Sequence, residues 1–125
     1  MQAPVCPGGS AHAIIAEPID YAYLARFTLG NAALEREVLE LFATQTPSYV
    51  DQLGRAPSRK AWKETAHTIK GSALAVGARR LAAVAQLTEQ LDVDADLAAR
   101  ERAVAAVTAA AEEVCRHIAC RFATA

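Results

Sequence analysis

Ala61-Trp62-Lys63-Glu64-Thr65-Ala66-His67-Thr68-Ile69-Lys70-Gly71-Ser72-Ala73 repeats its large or apolar residues with the spacing of a helix. At 100° per residue, Trp62, Ala66, Ile69 and Ala73, with Val76 beyond, share one face. His67 lies about 120° from the centre of that face, by the helical repeat. It belongs to a second stripe: Lys60, Lys63, His67, Lys70/Gly71 and Leu74. All three lysines of the chain fall on this stripe. Gly71 follows the imidazole by one turn, and a glycine inside a helix costs about 1 kcal/mol against alanine. Removing the side chain there opens the approach to an exposed histidine, which marks His67 as the working group.

Working outward, Ser58 is placed to cap this helix over residues 59–75, and Gly77 to close it. Upstream, Leu53-Gly54-Arg55-Ala56-Pro57-Ser58 reads as a break. Before it lies a long helix capped by Asn31, with Leu34, Val38, Leu41, Phe42, Tyr49 and Leu53 on its apolar face. Pro47 sits inside that segment and removes one backbone donor; the phase continues past it, so a bend is expected rather than an end. A short helix runs from Pro18 to Leu29, with Pro18 or Asp20 near its start and Gly30 stopping it. Downstream, a helix from Ala78 to about Leu91 buries Leu81, Val84, Ala85, Thr88 and Leu91, with Gln86 and Glu89 one turn apart on another border. Asp92-Val93-Asp94-Ala95-Asp96 supplies a cap and favourable charge for a last helix. Its stripe is Leu97, Val104, Val107, Ala111, Val114, Ile118 and Phe122.

Short connections make sequential helices antiparallel neighbours, so the expected fold is all-α: an up-down four-helix bundle with a short accessory N-terminal helix. Residues 1–16, with two prolines, Gly8-Gly9 and no period, read as a flexible N-terminal tail that includes His12. Residues 17–123 form the single domain that 125 residues accommodate. Thirty alanines against seven aromatic residues favour closely packed helices over sheets.

The net charge of −1 gives no overall field for nucleic acid or an anionic membrane. It is unevenly spread, however: residues 55–80 hold seven Lys/Arg against one acid, a local +6 against −7 elsewhere. That window suggests local docking of an anion or acidic partner. Cys6, Cys115 and Cys120 lack zinc or redox spacing, and the two later ones read as small helix residues in a reducing cytosol. No run of about 18 apolar residues exists, and the N-terminus has no secretory pattern. The expected location is cytoplasmic and the expected state a monomer, since each apolar face is used by one bundle.

Three readings of His67 compete. The plainest is a surface histidine, which leaves Gly71 and the shared lysine stripe unexplained. A di-metal site is suggested by the Glu64–His67 spacing, but it needs a second Glu-x-x-His pair and carboxylates from two other helices. Glu113 and His117 are four apart, and the phase points Glu64 and His67 away from the core. The third reading is a phosphoryl carrier. Imidazole titrates near neutrality, so much of it carries a free lone pair at pH 7. Phosphoryl transfer passes through a loose transition state, and the protein mainly supplies positioning and countercharge. Lys63 and Lys70 are helix neighbours of His67, and Gly71 leaves room for an incoming acidic site. Glu89, with Gln86 beside it, is placed to accept from the second ring N–H and fix the tautomer. Lys60, Lys63 and Leu74 would serve partner docking.

Ala66-His67-Thr68-Ile69-Lys70-Gly71-Ser72-Ala73, followed by Gly77-Ala78 and Leu87-Thr88-Glu89, resembles the histidine-containing phosphotransfer (HPt) domain of bacterial phosphorelays. Ile19-Asp20-Tyr21-Ala22-Tyr23-Leu24, Gly30, Glu37-Val38-Leu39-Glu40-Leu41-Phe42 and Trp62 extend the likeness over residues 18–122. The resemblance implies a helical bundle in two-component signal transduction. It would pass a phosphoryl group between aspartates of response-regulator receiver domains, or take it from a sensor (hybrid) histidine kinase. By that likeness His67 is the phosphorylated residue, Lys70 the charge partner, Gly71 the clearance and Glu89 the carboxylate of the next helix. Gln86 is added from helix phase alone. No Gly-rich nucleotide loop or kinase block is present, so the expectation is a free-standing phosphocarrier and not an enzyme, without cofactor of its own; Mg²⁺ would come with the receiver. The alternative is a non-phosphorylated helical module that docks receivers.

Overall fold

The computed structural model of the chain describes residues 18–92 and 96–123. The expected tail at 1–16 and part of the acidic run, Val93 to Ala95, lie outside these. Five helices form the described structure: α1 (Tyr21–Thr28), α2 (Ala32–Gly54), α3 (Arg59–Ala75), α4 (Arg79–Gln90) and α5 (Leu97–Arg121). There is no strand among the described residues.

Each boundary has a local cause. Asp20, Asn31, Ser58 and Asp96 cap α1, α2, α3 and α5, their side chains accepting backbone N–H groups of the first turn. Of the two candidates near the start of α1, Asp20 is the cap, accepting from Tyr23 N at 3.1 Å. Leu29 ends α1 in the left-handed region at φ 52, with Gly30 at φ 76. Pro47 lies within α2, which continues on both sides of it. The carbonyl of Ala43, deprived of the amide that residue 47 would supply, has the Cys115 thiol at 4.0 Å.

The core is built from Leu24, Leu39, Phe42, Leu53, Trp62, Ala66, Ile69, Ala73, Leu81, Ala85, Val107, Val114 and Ile118 and their neighbours. The apolar faces expected of α3 and α4 agree closely, with Ala82 added and Val84 and Leu91 only partly buried. That of α2 differs. Leu34 and Leu41 are exposed, whereas Leu39 and Thr46 are buried. Thr46 is accommodated because its hydroxyl donates to Phe42 O at 2.7 Å, leaving its methyl group for the core. A reading that follows Leu34 and Leu41 and passes over Leu39 turns the helix too far. Leu97, the first residue of α5, is likewise exposed.

α2 packs on α3 and α5, and α4 packs on α3 and α5, so the four long helices close a ring of contacts; α1 lies on α2. The α3–α4 pair makes the most extensive contact. The start of α1 is also fastened to the α3–α4 turn. Asp20 N donates to Gly77 O at 2.9 Å, and the Asp20 carboxylate pairs with Arg79 at 2.7 Å. From there the Tyr21 hydroxyl meets His117 Nε2 of α5, and the Arg121 guanidinium lies 4.3 Å from the Tyr21 ring centroid. Arg121 donates in turn to Glu35 of α2 at 2.7 Å. No helix among the described residues is long and apolar enough to cross a membrane.

Candidate functional site

α3 is held in the core by Trp62, Ala66, Ile69 and Ala73, all fully or almost fully buried. Ser58 starts it by accepting from Ala61 N at 3.1 Å. With this face fixed, the helical repeat turns Lys63, Glu64, His67, Thr68 and Gly71 outward. The His67 side chain is 69% exposed. At this level of exposure the ring is open to a bulky reactant.

Glu89 comes from α4. Both of its carboxylate oxygens stand 3.4 Å from His67 Nδ1, the long limit of a hydrogen bond, and its side chain is mostly buried. The register of α4 against α3 is set next door: Trp62 Nε1 donates to the carbonyl of Thr88 at 2.8 Å, within the core. Sequence reasoning placed Trp62 on the apolar face and missed this bond. The signal was available in the residue type, since a buried indole N–H needs an acceptor.

Lys63, Glu64, His67, Thr68 and Glu89 line a shallow, open depression of about 360 Å³. His67, Glu89 and Lys63 are thus brought together. Lys70, half-buried, and Gly71 and Leu74, exposed, lie further along α3 outside the depression. Gln86 does not line it either; its Oε1 is buried without a hydrogen-bond partner among the described residues. Lys60 is 3.9 Å from Glu64, so its charge is partly engaged on its own helix.

The basic window over residues 55–80 is narrower in space than along the chain. Arg55 pairs with Asp51, Arg59 with Asp92, Arg79 with Asp20 and Arg80 with Glu113, at 2.7–3.3 Å. All four acids stand outside the window, so the fold neutralises charge that the linear count left over. Lys63 and Lys70 have no carboxylate partner among the described residues, and they flank His67. Glu64 and His67 both face outward, and no group of three or more His, Cys, Asp or Glu side chains arranged to hold a metal occurs among the described residues.

Of the two later cysteines, Cys115 is a free, half-buried thiol; burial, reinforced by the nearby Glu112 charge, pushes its pKa up. Cys120 is not free, so the reading of both later cysteines as plain helix residues with reduced thiols does not hold for it.

A family model described as the Hpt domain matches residues 37–117. No curated protein and no solved structure matches the chain. The matched span takes in α3, α4, most of α2 and α5 as far as His117, and with them the exposed histidine and its carboxylate. It covers more than half of the 125 residues, and the chain therefore belongs to the Hpt domain family, the histidine phosphotransfer modules of two-component systems.

Proposed function

We propose that this protein is a phosphorelay shuttle whose phosphorylated residue is His67. The observation that carries the proposal is an exposed imidazole with Nδ1 turned to Glu89, between two lysines without carboxylate partners. When Nδ1–H donates to the Glu89 carboxylate, the lone pair sits on Nε2, the nitrogen away from α4. Nε2 attacks the phosphorus of an aspartyl phosphate on a receiver domain. The N–P bond forms as the P–O bond to the aspartate breaks, and the electron pair leaves with the carboxylate. Glu89 balances the positive charge that the ring acquires. Lys70 and Lys63 offset the charge on the phosphoryl oxygens. Reversal on a second receiver completes the shuttle, and Mg²⁺ arrives with each receiver. A sensor kinase is the alternative donor.

The ring of contacts among α2, α3, α4 and α5, joined by short connections, supports an up-down bundle as the frame for this exchange. Gly71 leaves the approach clear: a Cβ there would meet nothing within 4 Å. Lys60 and Leu74 extend the same stripe toward the partner, while Gln86, one turn from Glu89 on α4, makes no hydrogen bond to it among the described residues. The proposed protein works as a cytoplasmic monomer.

The test is incubation with a phosphorylated receiver, followed by a search for acid-labile, base-stable phosphate on the protein. Label is expected in the wild type and absent in His67→Gln. No label in the wild type, or equal label in the variant, removes the assignment. The first of those outcomes would favour a module that docks receivers without accepting phosphate.

A further inference from the structure

We infer that Trp62 is a positioning residue for His67, acting through α4 by setting where Glu89 stands. This rests on the carrier reading for its functional meaning, though not for its test. The indole N–H donates to Thr88 O at 2.8 Å, and Trp62 is fully buried. Thr88 directly precedes Glu89, so the link fixes the backbone of α4 one residue from the carboxylate that faces Nδ1. The donor lies five positions before His67 on α3, about one and a half helical turns. The bond therefore closes a short loop: Trp62, Thr88, Glu89, His67 and back along α3.

Two further contacts hold this loop in place. The Arg100 guanidinium of α5 lies 5.2 Å from the Trp62 ring centroid, and the same group donates to Ala56 O at 2.8 Å in the α2–α3 connection. The indole is thus gripped from α5 while it grips α4. Glu89 needs such help. Its contact with His67 is long, at 3.4 Å, and no other hydrogen bond or ion pair holds the imidazole among the described residues. A shift of α4 by a fraction of an ångström moves the carboxylate out of range. The ring would then lose the partner that keeps its proton on Nδ1 and its lone pair on Nε2.

The experiment reads that tautomer in the unphosphorylated protein, by long-range ¹H–¹⁵N correlation of the His67 ring above its titration. Trp62 is the only tryptophan, so biosynthetic replacement by benzothienylalanine, which keeps the bicyclic shape and lacks the N–H, alters this site alone. Trp62→Phe is the genetic counterpart. Val114→Ala, in the core near the Arg80–Glu113 pair, is a destabilised control that leaves the link intact.

Loss of one positioned hydrogen bond predicts a fall of about threefold or more in the Nδ1–H to Nε2–H ratio. That fall is expected with the analogue and in Trp62→Phe, and not in Val114→Ala. An unchanged ratio in the analogue-substituted protein overturns the inference, as does an equal fall in the control. Should Trp62→Phe not fold, the isosteric analogue still decides. A wild-type protein that never takes up phosphate would sink the carrier reading and leave the tautomer result standing.

Discussion

Gly71 and Gly77 stand six positions apart, one inside α3 and one just past its end, and their surroundings in the fold are opposite. Gly77 sits in the α3–α4 turn at φ +77, where a Cβ would come within 2.7 Å of the Asp20 carbonyl oxygen. The fold needs it, for its backbone conformation and for the close passage of the segment leading into α1. Gly71 sits inside α3, and a Cβ there would meet nothing within 4 Å. The fold gains nothing from it and loses helix stability. A glycine that costs helix stability without relieving any internal contact is what the proposed approach of a partner, one turn after His67, would account for.

That contrast can be broken by mutation. Gly77→Ala carries the largest expected effect: left-handed strain and a clash with backbone atoms together cost about 3 kcal/mol, read as a lower urea midpoint. A midpoint close to wild type would mean that the turn relaxes easily and that the two glycines are not so distinct. Gly71→Leu should leave helicity and midpoint unchanged or slightly raised, leucine being a better helix former than glycine, while slowing transfer from a phosphorylated receiver roughly a hundredfold, since a misplacement of about 1 Å can cost that much. If transfer proceeds at the wild-type rate, the clearance argument is wrong even with His67 as acceptor.

Lys70→Ala sharpens the same face by charge instead of shape. Transfer should slow about tenfold, the value of one hydrogen bond to a charged group, with stability within about 0.5 kcal/mol of wild type. Gly71→Ala then separates stability from approach: the midpoint should rise by an amount worth up to about 1 kcal/mol, with transfer slowed far less than by leucine. The smallest effect concerns Cys115, on the α2–α5 side. Its raised pKa means less thiolate at any given pH, so alkylation at pH 8 should be several-fold slower, by about the population of thiolate lost, in the folded protein than in urea. Peptide mapping would resolve it from the other cysteines, and equal rates would show that its burial offers no protection.

Much of the site was legible in the linear chain because it is local. His67, Lys63, Lys70 and Gly71 lie within about two and a half turns of one helix, and helical phase alone puts them on a common border. The face of α3 opposite them was equally clear, since Trp62, Ala66, Ile69 and Ala73 keep an unbroken period. α2 was harder. Leu34 and Leu41 appear more apolar than Thr46, but burial depends on which neighbours arrive, and Thr46 satisfies its own hydroxyl within the helix. The charge window misled for a related reason: its arginines find acids that are distant in sequence, such as Asp20 and Glu113.

What the sequence by itself determined was the set of helices, their caps and the outward display of the histidine stripe. These follow from intervals of three and four residues and from side chains bonding their own backbone neighbours. Only the tertiary structure decided which charges remain unpaired, that Gly77 is demanded by Asp20, and that Trp62 reaches the carbonyl beside Glu89. Each of those joins residues on different helices. Such pairings depend on how the helices rotate and slide against one another, and no period along a single helix carries that information.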